Sequence, residues 1–448
     1  MLGWNSSIII QNIFIKNDYI WTNKIYSIQQ IFFMIPIILL LIFLFALTRN
    51  YKQTFIVMFV LYTFLSQFKI PGIPFNLFQT LSCFSVIIFI LKYGIRNLHI
   101  KDMPIAFSLF AICFSYFISN YYGQYKHYPT LIVNIIIVFN LIILYSIFKP
   151  NPQQYIVFFI KVCYIYGAVI SIYALFESIT RTNPYIQFVN SADIYSLKFY
   201  CTEVRFGLKR CQSIFSMHGT LAAVSLLLGC ILLYVKTRTK LLAQYKYSIV
   251  IISLLFISVF LTGTRSAMIG TLPCLLCFIN KRYLKIRYII PFLCIIIAGI
   301  FLFSDYFILI YKSIIDTNQV DGSNTEMREG QFTIAQYFMN QSFWFGNGIS
   351  YTFEYVQSNF KDEILGAESL WLPIMIDYGV FGIIAYIIYI LSFCYYIIMQ
   401  QQPKLLFVLF GFLIFNSMSS LPSFNFLYLF AFIFVLIKTN QLPKLKYI

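Results

Sequence analysis

Long apolar runs separated by short polar breaks recur along almost the whole chain, and that repeat sets the first structural expectation. A hydrophobic stretch of roughly 17 to 25 residues crosses about 30 Å of hydrocarbon as an α-helix. About thirteen runs approach that length, over 31–47, 54–68, 73–91, 103–119, 129–148, 155–178, 214–235, 247–263, 266–280, 288–303, 371–398, 404–419 and 422–437. The run at 266–280 is the shortest. Strands of a membrane barrel would read as roughly ten-residue alternating segments, whereas these runs are apolar on every face. The pattern predicts an all-α protein, a polytopic transmembrane bundle of about 12 to 14 helices, with 1–448 forming a single membrane domain. Two long polar intervals remain, 179–213 and 304–370, and the second is the larger.

Composition agrees with that pattern and removes the soluble alternatives. Of the 448 residues 60% are hydrophobic and only 10% charged, against about 25% charged in a typical globular domain. Too few ionic side chains exist to cover a water-facing surface. The same apolar content excludes a disordered chain. The net charge of +17 would point to nucleic acid in a soluble protein, but here it orients the helices. Lysine and arginine resist transfer out of the cytoplasm, and one phase of the alternation is rich in them. It holds Arg49 and Lys52; Lys92, Arg96 and Lys101; Lys149; Lys236, Arg238, Lys240 and Lys246; Lys281, Arg282, Lys285 and Arg287; Lys404; and Lys438, Lys444 and Lys446. That phase is read as cytoplasmic. The opposite phase, with 179–213 and 304–370, is then extracytoplasmic. Residues 1–30 lack the early basic region of a secretory signal, so the helices themselves are expected to hold the protein in the membrane.

Cysteine carries little chemistry in this pattern. Cys274 and Cys277 form a two-residue-spaced pair inside a predicted helix, with no second pair to complete a metal site. Cys201 and Cys211 share the first long loop, where a disulfide is open in an oxidising compartment. Neither a metal nor a cofactor is expected.

Charge at membrane depth is costly and needs a reason, so its location is more informative than its amount. Eleven of the fifteen acidic residues fall in the two long loops. Arg210 ends the first loop at the mouth of the next helix. Arg265 closes Leu261-Thr262-Gly263-Thr264-Arg265-Ser266, a polar break on the side where the positive-inside bias would not place a cation. Arg328 stands among carboxylates in Glu326-Met327-Arg328-Glu329, where a local ion pair is the plain reading. Glu368 precedes Trp371 at the start of a helix, and Glu177 nears the end of one facing the same side; it could assist an acceptor sugar or simply reach toward water. Asp377, Gly379 and Gly382 read as helix packing, and His218 as a hydrogen-bonded helix residue. Arginine presents a planar fork of donors suited to phosphate. A nearby carboxylate could take a proton from an attacking hydroxyl. Together these residues describe glycosyl transfer from a lipid diphosphate.

At the same residues the chain resembles the O-antigen polymerase and O-antigen ligase superfamily, over its C-terminal two-thirds. The matching pieces are Arg210 with Ser213 and Phe215; Thr262 to Ala267; Arg328 followed by Phe345-Gly346-Asn347-Gly348; and Glu368-Ser369-Leu370-Trp371 running on to Asp377-Tyr378-Gly379-Val380-Phe381-Gly382. The resemblance implies a GT-C-like bundle in the bacterial inner membrane, with its active site facing the periplasm. Its donor and acceptor would be undecaprenyl-diphosphate-linked glycans, used without nucleotide sugar or metal. Membrane lipids, a flippase and a chain-length regulator are the implied partners, and nucleic acid is not. It further implies that Arg210, Arg265 and Arg328 hold the diphosphate, with Glu368, Arg328 and Arg265 as the catalytic set and Glu177 and Trp371 among the substrate contacts. Ligases of this kind place a histidine near the end of the large loop. Here Glu368 stands there, and the three histidines, His99, His127 and His218, lie elsewhere. That favours a polymerase building O-antigen, capsular or another surface polysaccharide over a ligase acting on lipid A core. A lipid-linked oligosaccharide flippase is the rival from another class, but no paired internal repeat of the transporter kind is visible.

Overall fold

A computed structural model describes residues 34–150, 152–191, 202–205, 208–239, 241, 242, 244–278, 308, 325–360, 364, 367–419 and 426–441. The apolar runs among the described residues fold as helices in the expected order, and two further helices, over 184–191 and 325–341, form inside the two polar intervals. They are α1 (Ile35–Arg49), α2 (Tyr51–Val60), α3 (Leu77–Tyr93), α4 (Ala106–Tyr122), α5 (Tyr128–Phe148), α6 (Pro152–Thr180), a short α7 (Pro184–Ser191), α8 (His218–Arg238), α9 (Ser248–Leu261), α10 (Arg265–Leu276), α11 (Thr325–Gln341), α12 (Trp371–Met399), α13 (Leu405–Ser417) and α14 (Leu429–Gln441). Four of them, α5, α6, α8 and α12, are long and apolar enough to cross a membrane. The protein is an all-α polytopic helical protein. Its strand content among the described residues is a two-residue antiparallel ladder, β1 (Val204–Arg205) with β2 (Leu208–Lys209).

Departures from the sequence pattern have local causes. The run at 54–68 breaks at Leu61 into α2 and a four-residue turn, Tyr62–Leu65. The run at 214–235 becomes helical only at His218, after a turn in which Ser213 is left-handed and its amide, with that of Gln212, is taken by a side chain of α6. The 266–280 run ends early at Leu276 and contains Pro273, whose ring removes a helix hydrogen bond. The run at 288–303 and most of 304–324 lie outside the described residues, as do Cys201, Asp193, Asp362 and Glu363.

Packing brings alternate helix ends to two opposite faces. At the basic face Lys92 donates to the Thr48 carbonyl at 3.1 Å, Lys149 pairs with Asp102, and Tyr234 of α8 reaches Gln402 at 3.0 Å. In the interior, buried polar side chains bond helix to helix: Asn140 donates to Ser82 and Tyr428, and Tyr116 meets Tyr386 at 2.9 Å. Such contacts act where hydrophobicity alone gives no preference between helix and lipid. Tyr428 also packs tilted against Phe59 and edge-on against Tyr62, with ring centroids 4.6 and 4.7 Å away.

The large loop folds back on α12 through backbone contact. Gly379 interrupts α12 at φ 60, ψ −156, a region essentially reserved for glycine. The break exposes amides that the loop uses, with Val380 donating to the Phe343 carbonyl at 2.9 Å and Phe381 to Trp344 at 3.1 Å. Asp377 sits beside it, buried. Its carboxylate accepts the amide and hydroxyl of Thr352 at 2.8 and 2.6 Å, and the Ser350 amide at 3.1 Å. These bonds fasten 343–352, and with it α11, to the front of α12. A Cβ on Gly379 would lie 2.6 Å from the Gly346 nitrogen and 2.7 Å from the Phe343 oxygen. Gly379→Ala is therefore expected to lower stability by at least about 2 kcal/mol, read as an earlier thermal transition in detergent; an unchanged transition would show that the loop is not held there.

Candidate functional site

Opposite the basic face, the ends of α6, α8, α9, α10, α11 and α12 gather a cluster of charges. Its foundation is Glu177, fully buried one turn before the end of α6. One carboxylate oxygen accepts from Lys209 Nζ at 2.9 Å, and the other accepts the amides of Gln212 at 2.9 Å and Ser213 at 2.7 Å. Ser213 adopts a left-handed φ of 53, which costs a non-glycine residue about 1 to 3 kcal/mol. The Glu177 contact and an Asn183 Nδ2 bond to the Ser213 carbonyl, 2.8 Å, keep it there. The result is a fixed turn that leads from the β1–β2 hairpin into α8.

Two arginines of that hairpin region share one acid. Arg205 Nη2 lies 2.9 Å from one Glu203 oxygen, and Arg210 Nη1 lies 2.7 Å from the other. Burial works against ionisation of Glu203, but hydrogen bonds and charge from Arg210 and then Arg205 outweigh it and hold the carboxyl below its usual range. The break between α9 and α10 completes the cradle. Arg210 Nε donates to the Thr262 carbonyl at 2.9 Å, and Arg205 Nη1 reaches the Gly263 carbonyl at 3.4 Å. Gly263 has φ +63, and a Cβ there would press on the Arg210 side chain at 3.4 Å. The polar break in the sequence is thus a carbonyl rim for two guanidinium groups. Arg205 Nε is buried and has no hydrogen-bond partner among the described residues.

Arg265, the first residue of α10, lies at the centre, 9% exposed. Burial, with the charges of Arg205, Arg328 and Arg210 outweighing that of Glu368, draws its guanidinium down to about 10, so it stays protonated at neutral pH. Arg328, near the start of α11, faces Glu368 at 3.6 Å. That distance is long for a charge-assisted hydrogen bond, and both side chains are partly exposed. The Glu368 amide is held by Gln331 at 3.1 Å. Trp371 ties its ring nitrogen to Ser417 of α13 at 3.0 Å.

The structure therefore gathers Arg210, Arg265, Arg328 and Glu368, which the sequence separates by more than 150 positions. Arg328 pairs across the fold, not with the glutamates beside it. Glu177 differs from its expected place among the substrate contacts: both oxygens are consumed by the chain and no part is exposed, so it shapes the loop. Arg205, Lys209 and Glu203 belong to the cluster and were missed. The signal was present in the sequence, since Arg205, Lys209 and Arg210 are three cations within six residues on the less basic side. His218, in the first turn of α8, lies within electrostatic reach of Arg205 and Arg210.

Among the described residues the cluster sets five cations, Arg205, Lys209, Arg210, Arg265 and Arg328, against three carboxylates, Glu177, Glu203 and Glu368, an excess of two positive charges. Four guanidinium groups gathered at one end of the bundle have the donor geometry that suits an anion. No group of three His, Cys, Asp or Glu side chains among the described residues is arranged to hold a metal ion.

Fold and site together define a polytopic helical membrane protein with a cationic pocket at one end of its bundle. Residues 249–387 match the family model described as O-Antigen ligase, in agreement with the O-antigen polymerase and ligase superfamily that the chain resembles. The matched stretch contains Arg265, Arg328, Glu368 and Trp371. No curated protein matches the chain.

The Glu177 contact yields a direct test. Glu177→Gln removes a charge facing a buried lysine and turns a donor toward backbone amides, which should cost about 3 kcal/mol or more. The thermal transition in detergent should fall along with activity. Lost activity at an unchanged transition would return Glu177 to the substrate side.

Proposed function

We propose that the protein is a membrane glycosyltransferase that moves a glycan from a lipid diphosphate, and that it acts as a polymerase joining lipid-linked oligosaccharide repeat units. The observation that supports this reading is the gathering of Arg205, Arg210, Arg265 and Arg328 beside the partly exposed carboxylate of Glu368. Arg265 is central in that pocket and, with Arg205 and Arg210, suits the diphosphate. Glu368 suits the acceptor hydroxyl. In the reaction the acceptor oxygen bonds to the anomeric carbon of the donor, the bond from that carbon to the diphosphate oxygen breaks, and the hydroxyl proton passes to Glu368. The lipid diphosphate leaves with its added negative charge matched by the arginines, electrostatic help of the kind that counts most when donors are preorganised. The long Arg328–Glu368 contact leaves both groups able to meet substrate.

The positive-inside bias supports a basic face in the cytoplasm and a pocket in the periplasm, with an undecaprenyl carrier as the donor lipid. Glu368, in the place where the resemblance puts a ligase histidine, supports the polymerase. The description of the matched family supports the ligase as the second reading. Reconstitution with a defined undecaprenyl-diphosphate repeat unit separates them: a ladder of products on a gel indicates polymerase, and a single transfer to lipid A core indicates ligase.

Two substitutions test the roles. Arg265→Ala should reduce product at least 100-fold with the protein still in the membrane at its normal level, and retention of long chains would remove Arg265 from the site. Glu368→Gln should slow transfer by roughly 10²- to 10⁴-fold, the usual worth of general-base help. If the glutamine variant transfers at the wild-type rate, the base lies elsewhere.

A further inference from the structure

A cavity of about 400 Å³ opens at the basic face, between α1, α2 and α6, at the opposite end of α6 from the arginine pocket. Its lining is divided by polarity along the helix direction. Arg49, Asn50 and Gln53 line it at the α1–α2 turn, and Phe43, Val57 and Phe158 line it deeper in the bundle. Polar groups thus sit at the interface and apolar groups at hydrocarbon depth. The cavity opens along α1, where Leu41, Ile42 and Phe45 are 60%, 57% and 63% exposed among the described residues, a surface that suits lipid tails.

The charge around its mouth is one-sided. Arg49 lies over the Phe45 ring at 5.3 Å. Lys52 lies between the Tyr93 and Tyr155 rings at 5.6 and 5.4 Å, and Lys92 donates to the Thr48 carbonyl. Among the described residues none of these three cations meets a carboxylate. At the other face cations share acids; here, among the described residues, their neighbours are rings and a carbonyl. One cation, Arg49, lines the amphipathic cavity, with Lys52 and Lys92 beside the same α1–α2 turn, an arrangement complementary to a phosphate group carrying acyl chains.

We propose that this cavity binds an anionic glycerophospholipid, with its phosphate at Arg49 and Gln53 and one acyl chain along Phe43, Val57 and Phe158. The site is independent of the transfer reaction. Its shape argues for lipid over free phosphate, because more of the cavity is apolar than a phosphate could use.

Native mass spectrometry of the delipidated full chain, titrated with phosphatidylglycerol or phosphatidylcholine, tests it. The wild type should retain phosphatidylglycerol at least fivefold better than phosphatidylcholine. Arg49→Gln should bring the two toward parity, whereas Arg49→Lys, which keeps the charge, should preserve most of the preference. Val57→Trp, which fills the apolar end, should weaken both lipids, and glycerol 1-phosphate should not displace phosphatidylglycerol. Equal retention of the two lipids by the wild type, or an unchanged preference in Arg49→Gln together with unchanged binding in Val57→Trp, would overturn the proposal. Displacement by glycerol 1-phosphate would identify a soluble phosphate site instead. Binding of neither lipid would also overturn it and would leave the chain's own residues 1–33 as the occupant to examine.

Discussion

A carboxylate with no access to water needs a cation and hydrogen-bond donors, and Glu177 finds both in one loop. Breaking a buried pair of this kind costs about 3 to 5 kcal/mol, so the Lys209–Gln212–Ser213 turn is tied firmly to the end of α6. Arg205 and Arg210 are carried on the same short segment, and their positions follow from that tie. Their other ends rest on Glu203 and on the carbonyls of Thr262 and Gly263. Arg265 starts α10 immediately beyond those carbonyls. One satisfied acid therefore sets the places of three guanidinium groups without itself facing the pocket.

The second half of the pocket depends on a different constraint, the approach of two backbones. Gly379 opens α12, and the Phe343 and Trp344 carbonyls dock on the amides it frees. Asp377 then collects donors from Ser350 and Thr352. Since α11 precedes this segment and Glu368 follows it, the docking decides how Arg328 meets Glu368. That ion pair is longer and more exposed than those around Glu177 and Glu203. Rigid support thus surrounds a pair that is itself loosely held, the arrangement a site needs if its charged groups are to exchange each other for substrate.

The helices were legible because lipid demands apolar residues on all faces, a demand that periodicity and length express directly. Their order and approximate ends follow from it. The sites of failure are local backbone features that hydropathy does not report: the late start of α8, after the left-handed Ser213 held by Glu177, and the break at Leu61. Within the pocket, Arg210, Arg265, Arg328 and Glu368 stood out because each is an ion at a membrane edge. Arg205 and Lys209 carried the same signal but were hidden by their neighbour Arg210. The Arg328–Glu368 pairing could not be read, because local glutamates offered an equal electrostatic match and only the fold of 343–352 decides between them. A related point holds for Glu177, expected among the substrate contacts and found buried with both oxygens bonded. A sequence shows that an acid is near a membrane surface but not whether the chain has already used its oxygens.

The two faces of the bundle handle the same problem in opposite ways. At the basic face Arg49, Lys52 and Lys92 lean on aromatic rings and a carbonyl, contacts worth about 0.5 to 1 kcal/mol each when exposed, and water or lipid phosphate can supply the remainder. At the arginine pocket exposure is small and rings are replaced by carboxylates, because a buried cation loses far more hydration than a ring returns. Among the described residues five cations are set there against three acids. Adding a fourth acid would neutralise the pocket further and stabilise the empty protein, but it would also compete with any anion for the same guanidinium groups. Arg205 keeps a buried Nε with no acceptor among the described residues, a donor that under the proposed reading a bound anion would take.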